Sequence, residues 1–178
     1  MRKRFTDSAN MPIIAIDFDG TININGEKKY PECGDVRPWA RRVINYMHDM
    51  GIKIVIWTSR DVAYNQEEKM MYDHLTPMID FLDKNDIHYD AINKSVQFAP
   101  YHYNGRKIYA NMYVDDRAFG WEEREDIMLL VLQQILIEVC GFNHHDAKLV
   151  VLECRTTDND PQEWMKEVVK HWKDWMKE

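Results

Sequence analysis

Two aspartates, Asp17 and Asp19, close the apolar run Ile13-Ile14-Ala15-Ile16 and are followed by Gly20 and Thr21. In an extended chain, positions two apart point the same way, so both carboxylates leave the end of a strand on one side. A glycine after them eases the turn. One carboxylate can then attack an electrophile while the other moves a proton. A lone Asp-x-Asp reads as a solvated turn; five residues, DFDGT, behind an apolar run read as a site.

Two further strand-like runs end in reactive side chains. Ile52 to Trp57 is followed by Thr58, Ser59 and Arg60. A hydroxyl there can donate to an anionic oxygen, although the ordinary use of Thr or Ser at a strand end is to cap the next helix. Ile108 to Val114 is followed by Asp115, Asp116 and Arg117. Adjacent carboxylates at a buried strand's mouth repel and raise the pKa of one, and a divalent cation relieves that cost. A small set of hard oxygen ligands favours Mg²⁺ with retained waters. Arg60 and Arg117 flank these groups and suit contacts to a substrate's phosphate or carboxylate.

These residues converge only if the runs lie side by side. Runs without clean alternation indicate strands covered on both faces, as in a parallel sheet. Leu149–Leu152 reads as another strand and Ile87–Ile92 as a weaker one. Helical patterning lies between them: Val36 to Met50 with Gly51 as a stop, Val62 to Leu75, a helix restarting at Thr76-Pro77 and running through Leu82, Trp121 to Cys140, and a last helix capped at Asp160-Pro161. The alternation predicts a three-layer α/β/α, Rossmann-like domain with a central parallel sheet of about five strands. In such sheets ligands bind beyond the strands' carboxyl ends.

The chain has 178 residues, 45% apolar and 30% charged, with a net charge of −7. That length suits one domain over residues 12–178, after a frayed tail at residues 1–11. The acidic balance opposes general coating of nucleic acid but leaves room for a local basic groove. The three cysteines, Cys33, Cys140 and Cys154, form no CxxC and read as buried thiols in a reducing cytoplasm. The start, MRKRFTDSANM, has no apolar stretch behind it and does not read as a signal peptide, and no run approaches a membrane span. The adjacent His144, His145 and Asp146 read as a polar turn rather than a metal site, and the loop Tyr101, His102, Tyr103 and Arg106 as a surface loop able to stack a base or sugar. Trp164, Val168, Trp172 and Trp175 line one side of the last helix, for core packing or a subunit contact.

With DFDGT, IVIWTSR and YVDDRA in this order, the sequence resembles the haloacid dehalogenase superfamily in its Mg²⁺-dependent phosphatase branch; the match runs from Ile13 to Arg117. The resemblance implies that Asp17 is the nucleophile that accepts the phosphoryl group, that Asp19 protonates the leaving oxygen and then activates water, and that Thr58 holds the phosphoryl oxygens. It implies Mg²⁺ bound by Asp17, the Asp19 main-chain carbonyl and Asp115, with Asp116 assisting. Gly20, Thr21, Ser59, Arg60 and Arg117 are expected to line the substrate. The family's catalytic lysine is assigned to Lys94, which lies 21 residues before Asp115 and follows the weak strand; Lys107 is the competitor, at the start of the strand that ends in Asp115.

Relatives often insert a cap domain. Here residues 23–35, with Asn25-Gly26 as a hairpin turn, allow only a small flap, and residues 60–94 are filled by the expected helices and strand. A capless or minimally capped phosphomonoesterase is the expectation. Its first-choice substrate is a small phosphorylated metabolite such as a sugar phosphate or nucleotide. A nucleic-acid 3′ or 5′ phosphate comes second, and a catalytically silent binding module is the alternative from another class. No membrane partner is expected, and a homo-oligomer is allowed.

Overall fold

The computed structural model describes residues 12–27, 29–96, 108–118 and 127–156, with side chains of the final helix to residue 152. Along the chain, β1 (Ile13–Asp17), β2 (Asn23–Ile24) and β3 (Asp35–Val36) precede α1 (Ala40–Asp49) and β4 (Lys53–Trp57). Then come β5 (Val62–Asn65), β6 (Met70–Asp73), α2 (Thr76–Lys84), β7 (Ala91–Ile92), β8 (Met112–Val114), α3 (Ile127–Glu138) and α4 (His144–Thr156).

The central sheet has the order β7-β4-β1-β8 with every pairing parallel. It is flanked by helices in a Rossmann-like α/β/α arrangement. The two-residue period of a strand sorts the apolar side chains onto its two faces. Ile14, Ile16, Ile54 and Ile56 enter the large core beneath the helices. Ile13, Ala15 and Val55 enter a smaller cluster with Ile108. The interiors of both central strands, Ile13–Ile16 and Ile54–Trp57, are therefore apolar on both faces, which is why they show no alternation in sequence. Gly51 ends α1 at φ +89°, its amide bonded to His48 O at 2.9 Å, and Pro77 opens α2, both as expected.

Several local expectations fail. Leu149–Leu152, expected as a further strand, lies inside α4, and the central sheet has four strands among the described residues. Ala147 and Val150, three apart, are buried on one side of α4, which packs against α3 across the turn at Gly141. A β-branched apolar run fits a helix equally well when one side faces a neighbour. His144, His145 and Asp146 are accordingly the first turn of α4, capped by Asn143, whose Oδ1 accepts the Asp146 amide at 2.8 Å.

Val62 to Leu75 is a β-hairpin, not a helix. Asn65 Oδ1 accepts the amides of Glu67 at 3.0 Å and Glu68 at 3.2 Å, so this side chain turns the chain after one short strand. The flap over residues 23–35 is present as the antiparallel pair β2–β3, but it does not turn tightly at Asn25-Gly26. Its chain continues to Gly34, whose amide returns to Asn23 Oδ1 at 2.8 Å. Cys33 and Cys140 are free and half-buried rather than buried. The tail at 1–11, Lys107, the aromatic loop at 101–106 and the terminal tryptophan helix lie outside the described residues. Among the described residues no helix is long and apolar enough to cross a membrane.

Candidate active site

Four parallel strands end on one rim of the sheet. Asp17 pairs opposite Trp57, and Ile16 opposite Val114. Asp17, Thr58 and Asp115 therefore leave three neighbouring strands at one level, as the sequence predicts.

The loop after β1 is anchored before it can carry chemistry. Phe18 is fully buried, with its ring edge-on to Phe81 at 5.5 Å. Its carbonyl accepts the amides of Ile22 at 3.0 Å and Asn23 at 2.9 Å. Gly20 has φ +92°, and a Cβ there would lie 2.0 Å from Asp116 Oδ2, so a side chain at this position would strain the backbone and displace Asp116. Arg37, itself buried, donates from Nε to Thr21 O at 2.8 Å and from Nη2 to Gly20 O at 2.5 Å. Thr21 then ties two strand ends together: its Oγ1 accepts the Asp116 amide at 2.9 Å and its side chain hydrogen-bonds Asp17.

Asp17, Asp115 and Asp116 each present a carboxylate oxygen within 4.8 Å of the others. Burial pushes the Asp17 carboxyl up to about 7, reinforced by the charges of Asp115 and Asp116 and opposed by hydrogen bonds from Thr21 and Phe18. Asp116 is also raised, chiefly by burial and by Asp115. Asp17 Oδ2 and Asp116 Oδ1 are buried without a hydrogen-bond partner. Unsatisfied buried carboxylate oxygens are costly, and a small divalent cation bound by oxygen would satisfy both. The donor set thus fits the Mg²⁺ implied by the resemblance.

Asp19 does not join that cluster. Its Oδ2 accepts Arg60 Nε at 2.7 Å, and its Oδ1 accepts Arg60 Nη2 at 2.8 Å and Asn23 Nδ2 at 2.9 Å. Arg60 is only 2% exposed. Its guanidinium also donates to Pro31 O at 2.5 Å and His74 O at 3.5 Å, with its centre 5.1 Å from the Phe18 ring and 5.0 Å from the Tyr30 ring. It joins the loop after β1, the flap and the β5–β6 hairpin. One expectation is corrected here: Arg60 is a buried connector rather than a substrate contact, and it holds the Asp19 carboxylate, whose main-chain carbonyl is the group expected at the metal. Thr21 is likewise buried beneath the rim and does not line the substrate.

Thr58 is held from β7. Asn93 donates Nδ2 to Thr58 O at 2.7 Å and accepts the Thr58 amide on Oδ1 at 2.9 Å. Thr58 Oγ1 accepts the Arg60 amide at 3.1 Å, which leaves its own hydrogen to donate. Lys94 follows Asn93 on the same rim and is exposed. Ser59 and Arg117, also exposed, line a cleft of about 640 Å³ together with Gly20, Tyr30 and Asp116. Arg37, Asn93 and Tyr30 were not legible as site residues, because each acts through distant main-chain groups or through the flap. The nearest signal was Asn93 beside Lys94 at a strand end.

No protein-family model matches the chain, and no curated protein does. Among solved structures, a conserved protein from Bacteroides thetaiotaomicron matches with a TM-score of 0.53 and 24% sequence identity, over 72% of this chain and 91% of that one. At that identity the likeness is one of fold.

Proposed function

We propose that the chain is a Mg²⁺-dependent phosphomonoesterase of the haloacid dehalogenase type, acting through Asp17. The observation that carries this reading is the trio Asp17, Asp115 and Asp116, gathered at the ends of neighbouring strands with two buried oxygens left unpartnered. A bound Mg²⁺ supplies positive charge that lets Asp17 ionise and that offsets the charge of a phosphoryl group.

In this reading an Asp17 oxygen attacks phosphorus as the ester P–O bond breaks, and the leaving oxygen takes a proton from Asp19. Water then attacks the aspartyl-phosphate, gives its proton to Asp19 and releases inorganic phosphate, restoring Asp17. Thr58 Oγ and the lysine at position 94 face the phosphoryl oxygens. Asp19 lines the cleft with its side chain 38% exposed, and Arg60 positions it. The ion pair suits the half of the cycle in which Asp19 receives a proton. Arg117 and Tyr30, on the cleft wall, suit a small phosphorylated metabolite carrying a sugar or base.

The test is hydrolysis of a chromogenic phosphate ester with and without Mg²⁺, beside Asp17→Asn. Turnover that needs both Mg²⁺ and Asp17 is expected; equal rates for wild type and variant would overturn the proposal and leave the binding-module reading. Lys94→Ala should abolish turnover, whereas loss in Lys107→Ala alone moves the lysine's role there. An oligonucleotide phosphate hydrolysed faster than free nucleotides, with a rate that falls with salt, would move the substrate to nucleic-acid ends.

A further inference from the structure

A second group of ligand-type side chains lies on the outer face of α1. Arg41, Asn45, His48 and Asp49 recur at helical spacing and form one stripe. The stripe meets the connection between α2 and β7, and that connection is pinned to it. Arg41 Nη2 lies 2.5 Å from Asp86 Oδ2. Asn45 donates to Asp86 O at 2.7 Å and accepts the His88 amide at 2.9 Å. These contacts bring His88 onto His48, ring edge to face, with centroids 5.5 Å apart. One donor atom from each of His48, Asp49 and His88 lies within 4.8 Å of the others.

A carboxylate stands behind each imidazole. Asp90 Oδ2 is 3.8 Å from His48 Nε2, and Asp86 Oδ1 is 3.4 Å from His88 Nε2. Asp90 is itself fixed by Lys53 Nζ at 2.6 Å and the Ile54 amide at 2.8 Å. Carboxylates in this outer position orient imidazole ligands and raise their basicity.

We propose that His48, Asp49 and His88 bind one borderline transition-metal dication of the Zn²⁺ type, with water completing the coordination. Two imidazoles and one carboxylate are a zinc donor set, whereas Mg²⁺ takes oxygen. Zinc–ligand distances of about 2.0–2.1 Å bring the donors closer together than they stand here, a shift that rotation of three partly exposed side chains provides. The metal joins the carboxyl end of α1 to the segment entering β7, the strand that Asn93 and Lys94 follow. The site shares no residue with the acidic trio and does not depend on the proposed activity.

The test uses the full chain, stripped of metal by a chelator and then titrated calorimetrically with Zn²⁺ in the presence of excess Mg²⁺. One Zn²⁺ per chain is expected, weakened by at least about tenfold in His48→Ala and in His88→Ala and unchanged in Asp17→Asn. Both histidines are partly exposed, so the variants keep the fold. As a second readout, Co²⁺ bound to the wild type should give visible d–d absorption that both histidine variants lose. Absence of Zn²⁺ binding, equal binding by wild type and histidine variants, or loss of binding in Asp17→Asn instead would each overturn the proposal.

Discussion

Asp17 and Asp19 sit two residues apart on one loop, and their surroundings are opposite. Asp17 faces two more carboxylates and keeps a buried oxygen without a partner. Both Asp19 oxygens are filled by Arg60, and Asn23 adds a further donor. One environment is electrostatically incomplete; the other is closed within the chain and holds three segments in register. A reactive centre can stay under-satisfied only where a neighbouring region over-determines the backbone.

The comparison breaks hardest at Asp17. Asp17→Asn should lower phosphate-ester hydrolysis by on the order of 10⁴-fold or more, because the attacking oxygen is lost and geometry alone remains. Thermal unfolding of the same variant should show no loss of stability, since one of three crowded carboxylates has been neutralised. A large loss there would mean that the trio is satisfied internally.

Arg60 should respond in the reverse manner. Arg60→Met strands Asp19 and removes the links to Pro31 and His74. Urea unfolding should register a loss of about 3 kcal/mol, near the low end for a buried pair because Asp19 is partly open to the cleft. Stabilisation by Mg²⁺ should persist in that variant. Adding Asp19→Asn should recover part of the loss, and simple additivity in this cycle would dismiss the pair as a unit.

Gly20→Ala lies between the two regions. The φ of +92° and the approach of Asp116 Oδ2 together predict a cost of about 2 kcal/mol, measured by chemical unfolding. Affinity for Mg²⁺ should fall with it, because Asp116 must move.

The smallest effect is one of pH. In the metal-free protein, folded Asp17 keeps its proton up to about 7, whereas the unfolded chain releases it near 3.8, as an ordinary aspartate does. The folded state binds more protons between those values, so stability falls as pH rises through that window. Melting curves of chelator-treated wild type should decline across it more steeply than those of Asp17→Asn, and Mg²⁺ should reverse the decline at neutral pH.

The rim was legible because its signals are local. Apolar runs ended in acids or hydroxyls, and a parallel sheet gathers such ends by register alone. What failed had non-local causes. The partner that makes Leu149–Leu152 helical is α3, and nothing in that run names it. The turn at Asn65 is one side chain capping two amides, weaker in pattern than the apolar spacing around it. Arg60 beside a catalytic-looking triplet suggested substrate contact; its burial comes from Pro31 and His74, at sequence distances that spacing cannot span.

The β5–β6 hairpin leaves and rejoins the fold at a single point, where the His74 amide bonds Asp61 O at 3.1 Å. Its side chains Val62, Tyr64, Met70 and Met71 stand exposed. A segment with coincident ends is a natural graft site: residues 62–72 can be exchanged for a longer lid or trimmed to a bare turn, provided Asp73 stays, because its carboxylate accepts the Leu75 and Thr76 amides at the start of α2.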